Sequence, residues 1–180
     1  MQKDHPIVYK SGIISQKVDN CGIKAGTNMF RGINAIHIDG KGRLAIPTRY
    51  RDVLGAEADN NLVLTIDTEE TCLLLYPLKQ WQVIEEKIQR LPSFDPVARR
   101  IQRLLIGHAT DVALDGAGRL LLPQVLRDYA QVEKRVLMIG QGAKFELWSE
   151  QLWEARRDHW LREESTRLGQ LPDELKTFYL

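Results

Sequence analysis

Cysteine is almost missing from this sequence: Cys21 and Cys72 are the only two in 180 residues, with no CxxC and no Cys/His cluster around either. That pattern excludes a disulfide scaffold and a zinc site, and points to a reducing compartment, with the cytoplasm as the expected location. A surplus of one charge is missing too, because 25 basic residues face 24 acidic ones. A strongly basic sheath for nucleic acid is therefore excluded, and only local patches could do such work. No run approaches the roughly 18 apolar residues of a membrane span, and MQKDHPIVYKSGIISQ lacks the long apolar stretch of an export signal. Aromatics are sparse at 7%, without the basic and aromatic interleaving typical of RNA binders.

What is present is an ordinary globular mixture, 43% hydrophobic and 27% charged, in a chain of one large domain or two small ones. At this length folding buries about two thirds of the unfolded surface, so neither disulfides nor metal are required for a core. The dominant pattern is a repeat. INAIHIDGKGRLAIPTRYRDVL (33 to 54) and ATDVALDGAGRLLLPQVLRDYA (109 to 130) align at a constant offset. Asp39 meets Asp115, Gly40 meets Gly116, Gly42 meets Gly118, Arg43 meets Arg119, Pro47 meets Pro123 and Arg51 meets Arg127. With small shifts LVLTI resembles RVLMI, CLLLY resembles KFELW, and Trp81 falls where Trp153 does. Two copies of one unit therefore make the chain.

Each copy predicts the same elements. Alternation in INAIHID and TDVALD indicates a half-exposed strand, DGKGR or DGAGR a turn, and LAIP or LLLP the start of a returning strand. Proline then opens a short helix, where its missing N–H costs nothing. LVLTI with CLLLY, and VLMI with FELW, predict further hairpins. Amphipathic sequence over 78 to 91 predicts a helix, Asp95 and Pro96 start another, and Ser149 caps a long C-terminal one. Val97, Ile101, Leu104 and Leu105 are expected on one apolar stripe, with Arg99, Arg100 and Arg103 more exposed. The resulting division is an N-terminal extension over 1–28, a first unit with linking helices over 29–105, a second unit with its helix over 106–165, and a tail over 166–180. Residues 1–28 are expected to be poorly packed or to add an edge strand, and Met29 offers an alternative start.

The turn has a physical reading of its own. Asp39 can accept from backbone N–H groups, Gly40 and Gly42 allow positive φ, and Arg43 can pair back to the aspartate. A lone pair of this kind often only orders a loop. Two copies shift the balance toward function.

MFRG at 29 to 32, DGKGR at 39 to 43, IPTRYRDVL at 46 to 54, PVARRIQRLLIGHA at 96 to 109, DGAGRLLLP at 115 to 123 and VLMIGQGAKFELW at 136 to 148 resemble the MraZ family of bacteria. The likeness covers residues 29 to about 165. It implies an α+β fold of the AbrB type, a swapped-hairpin β-barrel built from two repeated units with flanking helices. It also implies a transcriptional repressor of the division and cell wall gene cluster, binding direct repeats in its own promoter, associated with the nucleoid and assembled into rings. The family signature falls on Asp39, Gly42 and Arg43 and again on Asp115, Gly118 and Arg119. Arg51 and Arg127 match the segment that in AbrB-type relatives brings an arginine toward DNA. Residues 1–28 have no counterpart.

Chemistry agrees with that implication. Arginine, lysine and exposed N–H groups suit phosphate, and an arginine held bidentate to guanine suits base reading, with Arg43 the best placed because its turn preorders it. Arg31, Lys41, Arg43 and Arg49 stand against the single acid Asp39 between residues 29 and 50, so the first unit is expected to dominate the DNA face. The competing reading is a ring-forming structural or protein-interaction module that touches DNA weakly; near-zero net charge favours it. A small hydrolase lacks a nucleophile and base, DGKGR is no P-loop, and His5, His37, His108 and His159 have no ligand-like spacing. No cofactor or metal is expected.

Overall fold

Polar and apolar residues alternate along Phe30–His37 (β1), turning Phe30 and Ile36 into the core and Arg31, Ile33, Ala35 and His37 outward. This is a computed structural model, and it describes residues 29–58 and 60–167. The extension over 1–28 and nearly all of the expected tail lie outside the described residues. After β1 the Asp39 turn leads into Arg43–Ala45 (β2), and Pro47 precedes a helix over Thr48–Ala58 (α1). Asn61–Ile66 (β3) and Leu73–Pro77 (β4) form an antiparallel hairpin, with Leu64 opposite Leu75. The second copy repeats the order: Thr110–Ala113 (β5), Arg119–Leu121 (β6), a helix over Gln124–Tyr129 (α4), then the hairpin Arg135–Gly142 (β7) and Lys144–Ser149 (β8).

The first turn of each copy reverses the chain without building a hairpin ladder inside its own unit. Among the described residues a single bridge, Ile38 to Leu44, joins the two arms in the first copy. Pairing instead runs between copies: β1 with β7 from Phe30↔Gly142 to His37↔Arg135, β3 with β5, β4 with β8, and β2 with β6. The result is a six-stranded sheet of order β1-β7-β8-β4-β3-β5 and a two-stranded ribbon β2-β6. The expected closed barrel does not form. Strands β1 and β5 end the large sheet, and among the described residues no ladder joins them. β2 and β6, which would have to bridge that gap, are three residues long and spend their ladder bonds on each other.

Crossed pairing is stabilised where the units meet. Leu44, Ile46, Leu120 and Leu122 come from the ribbon and its flanks, each at most 1% exposed, and join one core with Phe30, Phe145, Leu64 and Leu75. Full burial of each such side chain is worth about 1.5–3 kcal/mol.

Helices close the remaining faces. Leu78–Gln89 (α2) buries Trp81 and Ile88, two turns apart, and leaves Val83 exposed. Asp95 caps Pro96–Ile101 (α3) by accepting from the N–H groups of Val97 at 2.6 Å and Ala98 at 3.1 Å. The single stripe expected here is broken. Ala98 is the buried residue of α3 and Val97 is 51% exposed, because a π-helical turn over Gln102–Ile106 follows and its wider winding rotates the face before Leu104 reaches the core. The long helix Glu150–Arg167 (α5) starts directly after Ser149 and sets Trp153 and Trp160 edge-on to Trp148, at centroid distances of 5.4 and 6.0 Å. Arg156 donates from Nε to both Glu70 carboxylate oxygens and lies over the Trp160 ring, which ties α5 to the β3–β4 loop.

Of the turn glycines, Gly42 and Gly118 adopt positive φ, 81° and 70°, whereas Gly40 and Gly116 do not. A Cβ on Gly118 would fall 2.5 Å from Arg51 Cδ, and one on Gly42 would fall 3.0 Å from Arg127 Cζ; one on Gly40 would meet open space. Gly118→Val and Gly42→Val are therefore expected to lose about 1–3 kcal/mol or more, Gly118 the worse of the two, while Gly40→Ala stays near neutral. Urea unfolding midpoints of the three variants check this order.

Candidate nucleic-acid interface

Each Asp-Gly-x-Gly-Arg turn of the sequence folds into the same clamp. Asp39 Oδ1 accepts from the backbone N–H groups of Lys41 at 2.9 Å and Arg43 at 3.0 Å, and Oδ2 takes Arg43 Nε at 2.8 Å and Nη2 at 2.7 Å. Gly42 N–H closes the turn on the Asp39 carbonyl at 2.9 Å. In the second copy Asp115 accepts from Ala117 N–H and Arg119 N–H, both at 2.9 Å, and from Arg119 Nε at 2.8 Å. Guanidinium carries five N–H donors, so Arg43 keeps three beyond the two its aspartate engages. The clamp fixes one edge of the arginine and leaves the rest to face outward from a half-exposed position.

The ribbon places the two turns. Arg43 pairs with Leu121 and Ala45 with Arg119, so the turns sit at opposite ends of one short ribbon. With a rise near 3.3 Å and strands about 4.8 Å apart, the two arginine Cα atoms lie roughly 8 Å from each other. Beyond the ribbon, Ile46 N–H donates to Gly118 carbonyl and Leu122 N–H to Gly42 carbonyl, each at 2.9 Å. Each helix start is thereby laid against the other unit's turn. Arg51 of α1 packs on Gly118 and donates from Nε to Ile46 carbonyl at 2.6 Å; Arg127 of α4 packs on Gly42 and donates from Nε to Leu122 carbonyl at 3.2 Å.

Of the residues proposed from sequence, Lys41, Arg43 and Arg127 come together at one turn, and Arg119 and Arg51 at the other. Arg31 and Arg49 stand apart from the first turn, at the far end of β1, whose eight residues span about 26 Å. There Arg49 Nη2 donates to Asn34 Oδ1 at 2.9 Å and Tyr50 hydroxyl at 2.6 Å, and Tyr50 hydroxyl donates to Arg31 carbonyl at 2.7 Å. Missed in the sequence was Gln124, whose Oε1 accepts from Arg127 Nη2 while its amide donates to Asp128 Oδ1 at 2.5 Å. Its only signal was its place one residue after Pro123, where the first copy has Thr48. Leu121 and Val125, 54% and 70% exposed, stand where the first copy has Ala45 and Arg49. Among the described residues no group of three or more His, Cys, Asp or Glu side chains is placed to hold a metal.

The Asp39 carboxyl is held down to about 2, first by the Arg43 side chain and then by backbone N–H groups of Arg43 and Lys41. Asp115 also lies below the usual carboxylate range, chiefly through the Arg119 N–H. A folded value below the unfolded 3.8 means that the clamp stabilises the fold above that pH, and that this contribution is lost as pH falls toward 2. The stability difference between the parent and Asp39→Asn should hold steady from neutrality to about pH 5 and close below about pH 4. Carboxyl-carbon NMR titration should find the Asp39 midpoint near 2; a midpoint near 3.8 would disprove the clamp.

The comparisons with known proteins bear on the same residues. The family described as "MraZ protein, putative antitoxin-like" matches residues 29–104 and again residues 105–168. A Legionella pneumophila (strain Corby) protein named "Transcriptional regulator MraZ" is 67% identical over 152 residues, 84% of this chain and 100% of that relative. Proteins of the same name from Coxiella burnetii (strain RSA 493 / Nine Mile phase I) and Alkalilimnicola ehrlichii (strain ATCC BAA-1101 / DSM 17681 / MLHE-1) are 56% and 52% identical over the same shares. With the family's domain found twice in tandem, once on each clamp-bearing unit, the chain belongs to the MraZ family.

Proposed function

We propose that this chain is a sequence-specific double-stranded DNA-binding transcriptional regulator, a repressor of the division and cell wall gene cluster that includes its own gene, acting on direct repeats in that promoter. It works in the cytoplasm, at the nucleoid, and its action is regulatory rather than enzymatic. The observation that carries this reading is the pair of Asp–Arg clamps at the two ends of one ribbon, each with arginine donors left facing outward. Family membership supports it, since the matched relatives are named transcriptional regulators. Arg43 and Arg119 take the base-reading role, Lys41, Arg51 and Arg127 flank them, and Arg31 and Arg49 meet phosphates farther along. The functional units run over 29–105 and 106–165.

A few phosphate contacts per subunit give weak, salt-sensitive binding, and several subunits facing several repeats multiply it. The chain therefore works as a closed homo-oligomer. Phe94, 96% exposed, with Val97 and Val83, supplies apolar surface that the described residues leave uncovered, and a ring covers such head-to-tail surfaces without an open end.

A gel shift on the region upstream of its own gene, against an equal-charge scrambled duplex, tests the function; equal retardation of both duplexes would refute it. Arg43→Ala is expected to keep fold and assembly and to weaken specific binding at least tenfold by fluorescence anisotropy, since one bidentate guanine contact is worth about 1–3 kcal/mol. Arg119→Ala should be milder, because Ala117 stands where the first turn has Lys41. Light scattering on the full chain and on a chain starting at Met29 should return the same multiple of their monomer masses; a monomer at micromolar concentration would refute the ring.

A further inference from the structure

We propose that each DNA-facing turn is a two-unit device: Arg127 acts with Lys41 and Arg43 on the first turn, and Arg51 acts with Arg119 on the second. The inference rests on the DNA-binding reading above and adds to it which arginines work together. Sequence proximity would group Arg51 with Arg43, eight residues away in the same unit. Geometry groups them the other way, because crossed pairing delivers α4 to the first turn and α1 to the second.

Three observations support the assignment. Arg51 and Arg127 each commit Nε to a carbonyl that belongs to the ribbon edge, Ile46 or Leu122, and the same residue's N–H holds the carbonyl of the glycine that the arginine covers. A closed circuit of backbone and guanidinium thus fixes each arginine relative to the opposite turn, not to its own. Second, neither arginine has a carboxylate partner among the described residues, since Asp39 and Asp115 are occupied by Arg43 and Arg119 and Asp128 accepts from Gln124. The first turn gathers three cations around one anion and the second gathers two, arrangements that an incoming phosphate relieves. Third, the glycines are the residues that permit this approach, for a side chain at 42 or 118 would displace the covering arginine.

Gln124 is then a positioning residue: it holds Arg127 over the first turn, while Thr48 at the equivalent place makes no such bond to Arg51 among the described residues. The first turn therefore holds its covering arginine by one more hydrogen bond, and it is also the more charged.

The test is a set of double-mutant cycles by fluorescence anisotropy, with the full chain and a short duplex from its upstream region carrying one repeat, so that avidity does not enter. Arg43→Ala with Arg127→Ala should be coupled, the double variant losing less than the product of the single losses by about threefold or more, and Arg119→Ala with Arg51→Ala likewise. Arg43→Ala with Arg51→Ala should multiply independently. Arg127→Gln should also flatten the salt dependence of binding by about one phosphate contact, which a purely structural prop would leave unchanged. Should Arg127→Ala fail to fold, Gln124→Ala serves instead: it should weaken binding in the parent and not in the Arg127→Gln background. Coupling of Arg43 to Arg51 rather than to Arg127, or no coupling with an unchanged salt slope, would overturn the pairing while leaving the DNA reading intact. Arg43→Ala binding as well as the parent would overturn both.

Discussion

A ribbon only three residues long on each side ties this molecule together. Among the described residues β2 and β6 have no ladder partner but each other, so the backbone groups that their own turns leave open are satisfied only when the two units interlock. The same register brings Leu44 and Ile46 together with Leu120 and Leu122 in the core and lets β1 run the full length of β7. Taken alone, either unit would expose these side chains and leave long strand edges open. The two copies share one core and one sheet, so the pair is expected to unfold as one cooperative body. Everything at the surface, from the positions of the two clamps to the approach of Arg51 and Arg127, inherits its geometry from that register.

Much of this was legible because special residues repeat. Glycine, proline and aspartate at a common offset located the turns and helix starts, and polar loops between apolar runs located the hairpins β3–β4 and β7–β8. The clamp was readable down to its hydrogen bonds, since Asp39 can reach few other donors. Partner choice was implied by the swapped-hairpin fold of the resemblance and was not readable from the residue pattern itself. A half-exposed strand such as β1 has the same alternating pattern whether it pairs with its own unit or with the other, so the crossed ladders left no mark on periodicity. Openness of the large sheet was equally invisible, because it depends on β2 and β6 being used up on each other. The π turn at Gln102–Ile106 hid for a different reason: one extra residue per turn moves Val97 to the surface without changing composition.

Site residues divide along the same line. Residues whose role is local, Asp39 with Arg43 and Asp115 with Arg119, followed from spacing alone. Arg51 and Arg127 were marked by their position after Pro47 and Pro123, but their neighbours belong to the other copy and followed only from the register of the crossing. Gln124 carried no motif at all. Arg31 and Arg49 were grouped with the first turn by charge counting, but most of a strand's length separates Arg31 from it, and Arg49 on α1 turns its guanidinium to Asn34 in the middle of β1.

A two-fold made of unlike halves has a direction. One end of the ribbon carries Lys41, an arginine held by Gln124, and exposed Leu121 opposite Arg43; the other carries Ala117, with Ala45 opposite Arg119. Two identical chains crossing in this way would present the same face after half a turn, and a linear polymer lying across them would read alike from either end. Here, reversing such a polymer would exchange the turn with three cations for the turn with two. A chain that carries both copies lets them differ, and a grip that two identical chains would make symmetric becomes polar.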